Sequence, residues 1–190
     1  EPEEIYLDLL APGLVSIGAR WSAGEISIAD EHRASVVAAR LVGRLGPLFV
    51  RRGRTRGTVV VGAVHDDRHG LPCALFADLL RRRGFGVVDL GADTPPASFR
   101  DAAANADRLI AVGVCATTFG NDATIAATIH AVKQASEMPV VLGGSAVTDG
   151  PAAARLGADH WRPTTAEALG LFDRLGERAT GRRRARAVSP

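Results

Sequence analysis

Between an apolar run, TVVVGAV (58–64), and a helix-like run, CALFADLL (73–80), the chain reads HDDRHGLP, with two histidines and two aspartates in one short loop. Asp67 stands two residues before His69. At that spacing a carboxylate can accept a hydrogen bond from one ring nitrogen and leave the other with an outward lone pair. The pair is therefore suited to holding a metal. Zinc would require three or four ligands; only His65 is near enough to help, because Cys73 falls inside the following helix. One good ligand, His69, remains. That is the number a metal needs when a macrocycle already fills its equatorial plane. A lone D-x-H is an ordinary surface feature, so the reading depends on the elements that position it.

From residue 57 onward apolar runs alternate with helix-length segments. Runs at 58–64, 86–90, 109–115, 139–142 and about 158–161 read as strands; 72–83, 96–105, 121–136, 150–156 and 165–179 read as helices. The strand runs are continuous rather than alternating, as in strands covered on both faces. A βαβ series of this kind predicts a five-stranded parallel, doubly wound α/β sheet with right-handed crossovers. Ligands of such sheets sit beyond the carboxyl ends of the strands, which is where Asp67, Arg68, His69, Gly70 and Leu71 fall. Pro72 suits the first turn of the next helix.

Residues 1–50 carry helical periodicity without strands and read as a small helical subdomain. Pro12-Gly13 would kink or divide its first segment. Gly24 interrupts the pattern, and Ser27-x-x-Asp30 is preferred to Ser22-x-x-Glu25 as the cap of the second segment. These helices are expected to lie against the ligand edge of the sheet or a partner chain. Residues 51–57 form an Arg-rich linker, 58–180 the α/β domain and 181–190 a basic tail.

The 190 residues are 46% hydrophobic and 23% charged with net charge +2, an ordinary globular composition. No apolar run approaches the ~20 residues of a bilayer span. The acidic start EPEE is no signal peptide, and a chain opening on Glu1 leaves room for an upstream segment. Cys73 and Cys115 sit in apolar contexts and read as free thiols of a cytoplasmic protein. The clusters Arg51, Arg52, Arg54, Arg56 and Arg182, Arg183, Arg184, Arg186 read as solvated linker and tail. No nucleic-acid motif accompanies them. Gly113–Gly120 is too loose for a phosphate-binding loop, and no residue set resembles a hydrolytic triad, so no catalysis is expected from this chain alone.

VVVGAVHDDRHGLPCALFADLLRRRGFGVVDLG resembles the cobalamin (B12)-binding domain family, whose motif is D-x-H-x-x-G followed by a long helix and a second strand. Asp67 and His69 match, and Pro72 replaces the closing Gly. The family's Ser-x-Leu falls on Cys115-Ala116-Thr117, a degenerate match in which Thr117 or Thr118 would take over the hydrogen bonding. The Gly-Gly after the fourth strand is intact as Gly143 and Gly144, letting the backbone approach a flat ligand. The resemblance implies that His69 ligates cobalt from below, while the displaced benzimidazole tail enters the crevice beside strands one, three and four.

Trp21 precedes Glu31-His32 by a nine-residue interval. This W-x9-E-H spacing resembles the helical cap of B12-dependent photoreceptors, where the Trp packs on an adenosyl group above cobalt and the Glu-His pair lines the same pocket. In that family light breaks the cobalt–carbon bond and the cap rearranges. The resemblance implies a stand-alone light sensor, a dimer or tetramer acting on an output enzyme or regulator, with room for biliverdin as a second chromophore. Ser22 stands where the repressors carry a second cobalt-binding His. The competing readings are a methyl-carrying corrinoid protein or mutase B12 subunit, and a flavodoxin-like module without B12.

Overall fold

The computed structural model describes residues 1–188, with side chains as far as residue 181. The arginines 182, 183, 184 and 186 of the expected basic tail have side chains outside that description. Helices α1 (Pro2–Glu4) and α2 (Ala11–Ser22) are joined by a widened π-type turn at Ile5–Leu10. Pro12 has no N–H to give and its ring crowds the preceding turn; the wide turn ahead of it absorbs both effects. The expected kink at Pro12-Gly13 is thus a loosened turn in a continuous helix. The chain reverses at Gly24 (φ +73°) and enters α3 (Ile28–Leu45) through the expected cap. Ser27 Oγ accepts from Asp30 N at 3.2 Å, and the Asp30 carboxylate accepts from Ser27 N at 3.2 Å. A 3-10 turn, Gly46–Phe49, leads onward.

The rest alternates as expected: β1 (Thr58–Ala63), α4 (Gly70–Arg82), β2 (Gly86–Asp89), α5 (Pro96–Asn105), β3 (Leu109–Cys115), α6 (Asp122–Ala135), β4 (Val140–Gly143), α7 (Gly150–Arg155), β5 (His160–Trp161) and α8 (Thr165–Val188). All strand pairs are parallel, in the order β2-β1-β3-β4-β5. Val64, expected to close β1, makes only an isolated bridge to Thr94. Helix α8 outruns its expected end at residue 179, since arginine and alanine are good helix formers.

Successive side chains of a strand point to opposite faces, and β1 shows both faces covered. Val59 and Val61 join one core with Leu75, Leu79 and Leu80 of α4 and Phe172 of α8. Val60 joins the other with Phe99, Val112, Val114, Ile125 and Ile129. This is why the strand runs lack polar alternation.

The N-terminal helices are anchored on α4. Tyr6 is fully buried, stacks on Phe49 at 4.3 Å between ring centroids, and donates its hydroxyl to Asp78 Oδ2 at 2.7 Å. Asp78 also receives Arg81 Nη1 at 2.6 Å. Burial, with the Asp78 carboxylate as second cause, raises the Tyr6 pKa well above its ordinary value of 10.0. A group whose folded pKa is raised contributes stability in full below its unfolded pKa and loses it as pH climbs beyond. Tyr6→Phe should therefore cost about 1–2 kcal/mol at neutral pH. In thermal melts the wild type should lose stability above pH 10 more steeply than the variant. Parallel curves would mean that the phenol proton plays no part.

Arg56 departs from the solvated linker expected of it. Its guanidinium pairs with the Asp173 carboxylate, donates to the Asp173 carbonyl at 3.0 Å and lies 4.6 Å over the Phe85 ring. The linker is pinned to α8. No helix among the described residues is long and apolar enough to cross a membrane.

Candidate cofactor site

The crossover from β1 runs through α4 to β2, while that from β3 runs through α6 to β4, on the other side of β1. The loops after the adjacent strands β1 and β3 therefore lead to opposite sides, the topological switch point at which the ligand crevice of such a sheet forms. Asp67 and His69 lie in the first loop, Thr117 and Thr118 in the second.

Asp67 is fully buried, and its carboxylate joins the two loops. Oδ2 accepts the Thr117 and Thr118 amides; Oδ1 accepts the Thr118 hydroxyl at 3.2 Å, the His69 amide at 3.1 Å and His69 Nδ1 at 2.7 Å. Burial alone would raise its pKa. The bonds from Thr117, His69 and Thr118 outweigh that and hold the carboxyl below its ordinary 3.8. An ionised carboxylate has no proton to give, so the hydrogen in the 2.7 Å contact belongs to Nδ1. In the neutral ring Nε2 is then the nitrogen with the lone pair, on a side chain 55% exposed at the start of α4.

The other sequence-derived residues distribute unevenly. Arg68 is exposed, and Gly70 and Leu71 are half-buried in the first turn of α4. Cys115, half-buried, pairs in register with Gly143. Cys73 is buried; its thiol is pushed up by the neighbouring Cys115 and by burial, and both cysteines are free. A Cβ on Gly143 would meet nothing within 4 Å, so open space lies beside it. Gly144 has a reason internal to the fold: its φ is +102° and a Cβ there would stand 2.2 Å from the Ala116 carbonyl oxygen. Of the expected Gly-Gly pair, Gly143 has open space where a side chain would stand, while Gly144 is fixed by its backbone conformation.

Trp21, Glu31 and His32 stand on the α2–α3 hairpin. The indole is 47% exposed. Glu31 accepts from Ser35 Oγ at 2.7 Å, and His32 Nε2 lies 3.7 Å from Glu31. Among the described residues no hydrogen bond or ion pair joins the three to the crevice loops.

A second His–Asp pair escaped the sequence reading. His65 Nδ1 lies 2.7 Å from Asp93 Oδ1, which also accepts the Asp66 amide at 2.8 Å, and Asn121 Nδ2 donates to the His65 carbonyl at 2.9 Å. Asp93 lies in the loop after β2 at φ +51°, a conformation in which Asp is enriched. That residue type, two positions after Gly91, was the available signal.

The arrangement suits a corrinoid: one outward imidazole nitrogen backed by a buried carboxylate, a crevice at the topological switch point and open ground over Gly143. The comparisons agree. A family model described as a B12 binding domain matches residues 57–170, and a second of the same description matches residues 1–45. Trimethylamine corrinoid protein 2 of Methanosarcina acetivorans is 25% identical over 89% of this chain and 80% of its own length. The HTH-type transcriptional repressor CarH of Myxococcus xanthus is 32% identical over 76% of this chain, which spans 48% of the repressor. Among solved structures, the monomethylamine corrinoid protein of Methanosarcina barkeri superposes with TM-score 0.75 at 19% identity, covering 90% of this chain and 82% of its own. With a family model matching more than half of its length, the chain belongs to the B12 binding domain family, and a corrinoid is its cofactor.

Proposed function

We propose that the protein is a corrinoid carrier that presents its cofactor to a partner enzyme, with His69 as the lower cobalt ligand. The supporting observation is the buried Asp67 carboxylate holding His69 with Nε2 outward. A bound corrinoid supplies a cobalt centre whose upper position can carry or release a group. The chain's own residues do the rest. Asp67 fixes the imidazole tautomer and the orientation of the ring. Thr117, Thr118 and Cys115 line the crevice in which a nucleotide tail would be held, and Gly143 leaves it space. The helical segment 1–50 forms a cap unit and 58–180 the cofactor unit, with Tyr6 and Asp78 coupling the two. The trimethylamine corrinoid proteins, matched over most of their length, favour this carrier reading.

A second reading, light sensing, is favoured by Trp21 set before Glu31-His32 on a half-exposed hairpin and by the 32% identity with CarH. In it the indole packs on an upper organic ligand, the cap relaxes when that ligand leaves, and biliverdin and a homo-oligomer find their place. Size-exclusion chromatography of the adenosylcobalamin-loaded protein before and after green light separates the two. The carrier reading predicts an unchanged elution volume and methylation of bound cobalt by a partner methyltransferase. A light-dependent change of assembly would overturn it in favour of the sensor, and failure to take up hydroxocobalamin would overturn both.

A further inference from the structure

The opposite edge of the sheet carries a second concavity. β1 is six residues long, so its two ends lie about 20 Å apart. At the far end from His69 an open concavity of about 420 Å³ is bordered by the stretch 50–56, the end of α4 and the turn into β2. Arg51, Arg52, Arg54, Arg56, Arg81 and Arg83 all line it.

Three of these charges are already balanced. Arg56 and Arg83 share Asp173, Arg83 also reaches Glu3 at 3.5 Å, and Arg81 holds Asp78. Arg51, Arg52 and Arg54 make no ion pair with the described residues, and all three are exposed. The backbone adds donors: among the described residues, the amides of 51–55 find no acceptor in the protein. Gly84, whose φ of +84° suits the left-handed turn that closes α4, forms part of the wall. A Cβ there would approach Arg56 Cδ at 3.6 Å and Arg51 Cδ at 4.0 Å, so both side chains run along this wall. Like charges held around one hollow repel unless an anion enters it. Guanidinium forks and free amides are the donors that phosphate oxygens accept.

We propose that this cavity binds a small polyphosphate anion, free or as the tail of a nucleotide, at a site separate from the cofactor crevice. The shape favours a compact ligand over a nucleic acid. The arginines converge on a hollow instead of lining a stripe, and Phe85, the aromatic at the site, is 3% exposed beneath Arg56, so no ring is presented for base stacking. The proposal does not depend on the corrinoid reading.

Isothermal titration of the full chain with inorganic pyrophosphate at fixed ionic strength tests it. One saturable site is expected, with affinity falling at least tenfold in the R52Q/R54Q variant. Both positions are exposed loop residues, so the variant should keep the wild-type circular dichroism. ATP in place of pyrophosphate reports the source: equal affinity means that phosphates alone are read, tighter binding means a nucleotide. Absence of saturable binding, equal affinity in wild type and variant, or duplex DNA binding that excess pyrophosphate does not displace would each overturn the proposal.

Discussion

With His69 replaced by alanine, the protein should keep its fold and lose its hold on hydroxocobalamin by about 100-fold or more. The fold survives because the ring is more than half exposed and, among the described residues, bonds to Asp67 alone, which retains the Thr117 and Thr118 donors and the backbone amide at 69. Affinity falls because the imidazole held by Asp67 is gone; nearby Cys73 is buried, and the ring of His65 is oriented by Asp93 rather than by Asp67. Removal of partners that merely orient a metal-binding histidine typically costs 10–100-fold, and loss of the ligand itself exceeds that. Any pigment retained should show the absorption of a corrinoid with benzimidazole or water below cobalt, and added imidazole should move the spectrum back toward wild type. Equal affinity and equal colour in the two proteins would remove His69 from the site and with it the ground for both readings of function.

The sheet was legible because a strand buried on both faces must be apolar at every position. Thr58–Ala63 and Leu109–Cys115 satisfy that with hardly a polar residue. The last strand was harder to bound: the expected 158–161 shrinks to His160–Trp161. The Asp159 carboxylate instead receives the Val140 amide and Lys133 Nζ, both at 2.8 Å. The α2–α3 reversal was legible from Gly24 and Ser27, whose backbone chemistry is local. The single outward ligand was legible for the same reason, since Asp67 and His69 are two residues apart.

What the sequence hid were partners brought together by the sheet. Thr117 and Thr118 reach Asp67 across about fifty residues, Asp78 meets Tyr6 across 72 and Asp173 meets Arg56 across 117. No periodicity encodes those distances. For the same reason an apparent linker proved to be anchored, and the fastening of the N-terminal helices to α4 through Tyr6 and Asp78 could not be read from either segment alone. Trp21 illustrates the limit from the other side: its spacing to Glu31 is plain in the sequence, but spacing along a hairpin does not fix what the indole covers.

Asp67→Asn is the more severe test of the site's construction. The substitution conserves shape and exchanges one acceptor oxygen for a donor NH2. Both oxygens are in use, Oδ2 by the Thr117 and Thr118 amides and Oδ1 by His69 and the Thr118 hydroxyl. Either orientation of the amide therefore sets donor against donor in a place with no access to water. An unsatisfied buried group costs about 1–3 kcal/mol. With more than one stranded, roughly 2–4 kcal/mol is expected, a fall in Tm of about 4–15 °C for a domain of this size. The imidazole also loses the carboxylate that selects its tautomer, so corrinoid affinity should drop about 10–100-fold. The two losses have different origins and should separate. Asp67→Glu keeps the charge and should recover part of the cofactor affinity while its longer side chain still disturbs the Thr117 turn. If Asp67→Asn melts with wild-type Tm, the carboxylate is not the tie between the β1 and β3 loops, and the orientation of His69 must come from elsewhere.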